Sequence, residues 1–94
     1  MSIFIKEMIK NKIKQLHKDE LLQYAKQYGF SLSNLEAQHI LHYLQENEFD
    51  IFSKKELNEA FIKLSEITDK PTANKAQKLL EQIISSYGLG DYFY

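Results

Sequence analysis

"GFSLSNLEAQHILHYL", residues 29–44, sets out in one stretch how this chain is built. Gly29 is a helix stop, and a short polar turn follows it. Ser33-Asn34-Leu35-Glu36 then reads as an S-x-x-E capping box: the serine oxygen accepts a backbone N–H while the glutamate reaches back to the cap. Beyond the cap, Ala37, Ile40, Leu41 and Leu44 recur at helical spacing and form one apolar face. Stepping from Ala37, His39 lies at about 200° and His42 at about 140°, on the opposite face. The stretch is therefore the end of one helix and the capped start of the next.

The same grammar extends in both directions. Upstream, a helix starting near Lys18 has Asp19 and Glu20 at the positive end of its dipole and Leu21, Leu22, Ala25 and Tyr28 on one face. Before it, residues 2–15 place Ile5, Met8, Ile9, Ile13 and Leu16 on one arc, beside a Lys6, Lys10, Lys14 stripe. Downstream, Ser53-Lys54-Lys55-Glu56 repeats the capping box, with Phe52 and Leu57 placed as a hydrophobic staple. Its helix carries Leu57, Ala60, Phe61, Leu64 and Ile67 inward and Glu59 and Lys63 outward as an i, i+4 pair. Pro71 marks a break after Asp69, and Thr72 is the expected start of a last helix with Ala76, Leu79, Leu80, Ile83 and Tyr87 inward. Gly88 closes that helix, leaving "LGDYFY". In the connection before Ser53, Phe49, Ile51 and Phe52 are too apolar for a solvated loop and are expected to plug the core between the third and fourth helices. The expectation is an all-α, compact bundle of about five short helices, one domain over residues 1–94 with a short aromatic segment at 89–94.

Composition narrows the function. The chain has 94 residues, no cysteine and a net charge of −1. A disulfide framework and thiolate chemistry are excluded, and no apolar run approaches the roughly 18 residues of a membrane span. Lysines interrupt "MSIFIKEMIKNKIK" too early for a signal peptide, so an intracellular location is the default. All twelve basic residues are lysine. Without arginine the bidentate reader of guanine and phosphate is missing, which argues against sequence-specific DNA binding. Charge is uneven: six lysines against Glu7, Asp19 and Glu20 leave residues 1–30 at +3, while residues 31–69 stand at −5.

No motif carries chemistry. Glu36-x-x-His39 matches one element of a carboxylate-bridged di-iron bundle, but such sites need two elements facing inward, and Glu36 is committed to a cap. His17 and the serines lack any nucleophile signature, and "YGLGDY" ends a helix, whereas a phosphate loop opens one. Catalysis, metal and cofactor are not expected. Residues 18–44 look like a SAP-type helix-extended-helix module, yet "GFSLSNLE" has no basic residue to reach phosphate. The Lys6/Lys10/Lys14 stripe could still give weak, salt-sensitive nucleic-acid binding. It could also lie on a membrane surface, although Lys12 falls near the centre of the apolar arc. A solvated helix face is the simpler reading of that stripe.

"KDELLQYAKQYGFSLSNLEAQHILHYL" (18–44), followed by "DIF" (50–52), "LSEIT" (64–68) and a final helix, resembles the YqfT-type family of small uncharacterised proteins of low-GC Gram-positive bacteria. The resemblance covers nearly the whole chain through caps, turns and core positions. It implies a small helical domain and cytoplasmic residence, and it brings no catalytic or binding residues. The expected role is a cytoplasmic module acting through protein partners or self-association. Its candidate contact residues are Lys6, Lys10 and Lys14 together with Tyr92, Phe93 and Tyr94. The aromatic end is expected to dock on the bundle or to join an association surface, where tyrosine is enriched.

Overall fold

Capping chemistry places the helices. The computed structural model describes residues 2–46 and 49–90, with side chains from Lys6 onward. It contains α1 (Ser2–Gln15), α2 (Lys18–Gln27), α3 (Asn34–Glu46), α4 (Lys54–Ile67) and α5 (Lys70–Ser86), and no strand among the described residues. At α3 the capping box is complete: Ser33 N–H donates to Glu36 Oε1 at 2.9 Å and Glu36 N–H donates to Ser33 Oγ at 3.0 Å. At α4 only half of it forms. Ser53 Oγ accepts from Glu56 N–H at 3.3 Å, but the Glu56 carboxylate reaches past Ser53 to the Asp50 N–H at 3.1 Å. The Ser53 N–H is already taken by the Asp50 carbonyl at 3.1 Å. Asp50 also accepts from Phe52 N–H at 3.0 Å, an Asx-type turn that leads into the buried Phe52.

Two helix starts differ from the sequence reading. α5 begins at Lys70 rather than at Thr72, because Asp69 is the cap and accepts from Thr72 N–H at 2.7 Å. Pro71 then falls in the first turn, where no intrahelical N–H is needed. At α2, Glu20 accepts from His17 N–H at 3.0 Å, a back-bond not read from the sequence. Two helices end alike. After α2, Phe30 N–H donates to Ala25 O and Gly29 N–H to Lys26 O; after α5, Leu89 N–H donates to Ile84 O and Gly88 N–H to Ser85 O. Both are Schellman stops, with Gly29 (φ 87°) and Gly88 (φ 65°) in the left-handed region where a Cβ is unfavourable.

Packing makes two layers. α3 packs on α1, α2 and α4, and α4 pairs with α5 through the short Thr68–Asp69 connection. The residues most removed from solvent are Ala25, Ala37, Leu41, Phe52, Leu57 and Ala73. Ala37 is 0% exposed, so a larger side chain there would overpack its surroundings. The Gln45 amide crosses from α3 to α1, donating to the Ile13 carbonyl at 3.1 Å and the Leu16 carbonyl at 2.8 Å. It adds a bond to the Ile13 carbonyl, which also accepts from Leu16 N–H at 3.3 Å, and satisfies the Leu16 carbonyl just past the end of α1.

Three residues assigned to core faces lie outside. Met8 is 70% exposed, Tyr28 52% and Tyr87 75%. α1 packs principally against α3, and Met8 is left open to solvent. Tyr28 and Tyr87 are C-cap residues, where the chain has left the helical path. The side chain of Ile5 lies outside the described residues. Lys63 makes its ion pair with Glu66 at 3.9 Å, in place of the expected pairing with Glu59. Lys12 turns from the apolar arc to Glu20, 3.3 Å away.

Replacing Ser33 by Ala should lower stability by about 1 kcal/mol, the usual worth of an N-cap, read as a shifted urea midpoint at constant m. A second expectation concerns acid. The His17 N–H, and after it Lys12, lower the Glu20 pKa; Thr72 lowers that of Asp69. Both carboxyls are depressed on folding, so their stabilisation is complete above the ordinary carboxylate range and is lost as pH falls through the lowered values. Asp69→Asn keeps a capping oxygen but cannot titrate, and its stability should fall less steeply with acid than that of the parent protein.

Candidate functional site

An apolar seam runs between the two layers, built by the same helix faces that make the core. Its first part is an open cleft of about 290 Å³. Ile40, Tyr43 and Leu44 of α3 form one wall, Ala60, Phe61 and Leu64 of α4 another, and Ala76 and Leu80 of α5 the floor, with Ile13 of α1 and the connector residues Phe49 and Ile51 at its edge. The connector thus meets the core as its composition demands, and the Tyr43 and Phe49 rings lie 6.4 Å apart. At Tyr43, Lys63 and Ile67 the cleft adjoins a wider polar depression lined also by His39 and His42. The Tyr43 hydroxyl is pushed up from its ordinary range, first by burial and then by the nearby Glu59 and Glu56 carboxylates.

The second part, about 220 Å³, lies between α2 and α5. It shares Ile40, Leu64 and Ala76 with the first and adds Leu21, Tyr24, Tyr28, Phe30, Leu32 and Leu79. Tyr24 of α2 and Tyr28, its C-cap residue, stand half exposed at its mouth. Through Tyr28, Phe30 and Leu79 it adjoins a depression that contains Lys75, Lys78, Asn74 and Gln82. Lys75 is anchored there: its ammonium lies 4.8 Å from the Phe30 ring centroid and donates to the Gly29 carbonyl.

These surfaces offer burial of apolar groups beside lysine ammonium groups. Among the described residues no cluster of three or more His, Asp or Glu could hold a metal, and no described helix is long and apolar enough to cross a membrane. His39 and His42 are both exposed, as the helical phase requires.

Of the contact residues read from the sequence, Lys6, Lys10 and Lys14 lie together on α1, away from the seam. Lys6 is half-buried with its ammonium 5.5 Å from the Phe52 ring centroid; Lys10 is half-buried and Lys14 exposed. Tyr92, Phe93 and Tyr94 lie outside the described residues. The seam was missed, although the Tyr24/Tyr28 spacing and the Lys75/Lys78 pair were visible signals for its rim.

Residues 1–84 match the family described as "Protein of unknown function (DUF2624)". The chain belongs to this family. It is also similar to the uncharacterized protein YqfT of Bacillus subtilis (strain 168), 31% identical over 83 residues that cover 88% of this chain and 99% of the relative. No solved structure matches the chain. Every residue of both apolar clefts lies inside the span matched to the DUF2624 family, whereas the aromatic segment at 89–94 lies beyond it.

Filling the first cleft should stabilise the fold. Ala60→Leu adds methyl groups at a wall that faces open space, and cavity-filling changes commonly contribute about 0.5–2 kcal/mol. A urea midpoint above that of the parent checks it; a lowered midpoint would show that the wall is already close-packed.

Proposed function

We propose that this protein is a small, non-catalytic cytoplasmic docking module whose α2–α5 groove receives an acidic amphipathic helix of a partner protein. The observation that carries this reading is the pair Tyr24 and Tyr28, 44% and 52% exposed, beside an apolar groove that ends at Lys75 and Lys78. Exposed tyrosines around an apolar trough are what helix-in-groove recognition uses: apolar anchors at i, i+3 and i+4 fill the trough, and tyrosine supplies rigid contact area with a polar tip. The lysines, with no carboxylate among the described residues lining that end, select a partner carrying acidic residues beside its apolar stripe.

The runner-up, nucleic-acid binding through α1, has less support, since Lys6 is engaged with Phe52 and the stripe is unassisted by arginine. The two separate in one experiment. A photo-crosslinking residue placed at Tyr28, and in a second variant at Lys14, is activated in cells that express the full chain. Expected is one protein adduct from position 28, lost with Lys78→Glu or Tyr24→Ala and kept with Lys10→Glu/Lys14→Glu. Both positions in the groove are exposed enough that the fold should change by no more than about 0.5 kcal/mol. Nucleic-acid adducts from position 14, or a protein adduct indifferent to Lys78→Glu, would overturn the reading.

A further inference from the structure

The first cleft combines two features that neither the docking reading nor family membership accounts for. Its walls are aliphatic and aromatic over about 290 Å³, at the lower edge of the roughly 300–1,000 Å³ typical of small-molecule sites. Where it adjoins the polar depression, three hydrogen-bond donors gather: His39 and His42, one turn apart on α3, and Lys63 from α4 across the mouth. From this geometry we propose that the cleft binds an alkyl carboxylate of medium chain length, its chain between Ile40, Ala60 and Leu64 and its head against Lys63 and the two imidazoles. A cleft at the small end of that range suits a chain of medium length.

The head group is anionic because the described residues that line the mouth contain no carboxylate and can donate. Three acids lie close by. Glu66 meets the Lys63 ammonium at 3.9 Å in an exposed contact, and Glu59 and Glu56 act on the Tyr43 hydroxyl. The Glu66 contact is long and solvent-screened, the kind of pairing worth little, so a ligand carboxylate held in place by its buried chain can displace it. The proposal stands apart from helix docking, because neither Tyr28 nor Lys78 lines this cleft.

Titration of the isotope-labelled full chain with sodium decanoate below its micelle concentration, followed by amide spectra, tests it. Saturable shifts are expected at Ile40, Ala60 and Leu64. Decanol should bind more weakly and decyltrimethylammonium not at all. Lys63→Met, a change at an exposed side chain, should weaken decanoate about tenfold, the effect of losing one charge-assisted hydrogen bond, and leave decanol unchanged. Ala60→Leu should abolish binding of both while the fold is retained. Absence of saturable shifts, equal binding of the ammonium amphiphile, or a Lys63→Met variant that binds decanoate like the parent would each overturn the proposal.

Discussion

The reciprocal hydrogen bonds between Ser33 and Glu36 determine where α3 starts, and the start of a helix determines its phase. A shift of one residue would rotate every later side chain by about 100°. Ala37 would leave the contact it makes possible, and His39 and His42 would leave the mouth they share with Lys63. Because α3 packs on α1, α2 and α4, an error in its phase would spread to three interfaces. Gln45, two turns and more along the same helix, caps the end of α1 only in this register.

The second consequence of this arrangement is a core of small contacts. Half of the most buried residues are alanines, which let helices approach at particular points and leave the larger aliphatic side chains between them half covered. A chain of this length has little surplus core, so apolar area left along a seam is an unusual choice unless something covers it. The seam is also divided by chemistry. Its α2–α5 side is rimmed by tyrosines and lysines, suited to a helix. Its α3–α4 side is the larger cleft of the two and ends at imidazoles and an ammonium, suited to a single chain with a polar head.

The helix boundaries were legible because they are local. Caps, stops and periodicity are written within a few residues of the bond they form, so Lys18, Ser33, Ser53, Gly29 and Gly88 could be placed from the sequence. Asp69 was missed because Pro71 reads as a breaker until one allows for its tolerance in a first turn. Faces were legible only where a partner helix exists: Met8, Tyr28 and Tyr87 share the periodicity of their helices, but periodicity does not say how far the opposing surface extends. The capping box at Ser53 forms only by half because a competing local turn, at Asp50, takes the Ser53 N–H. The clefts were not legible at all. A gap is a property of two surfaces together, and Lys63 meets His39 and His42 only after α4 has folded back along α3.

The contact of Lys75 with the Gly29 carbonyl bears on how the molecule assembles. It joins positions 46 residues apart, whereas the α2–α3 and α4–α5 pairings close short loops. Loop-closure entropy makes such a distant contact form late and orders events by sequence separation. The two helical hairpins can therefore build up separately, and the lysine closes the second across the first once both exist. It stands beside the α3–α4 packing, which also joins the two hairpins, as a second tie made of one ammonium, one carbonyl and one ring face. On that sequence of events the α2–α5 side of the seam is among the last parts of the protein to lose its water.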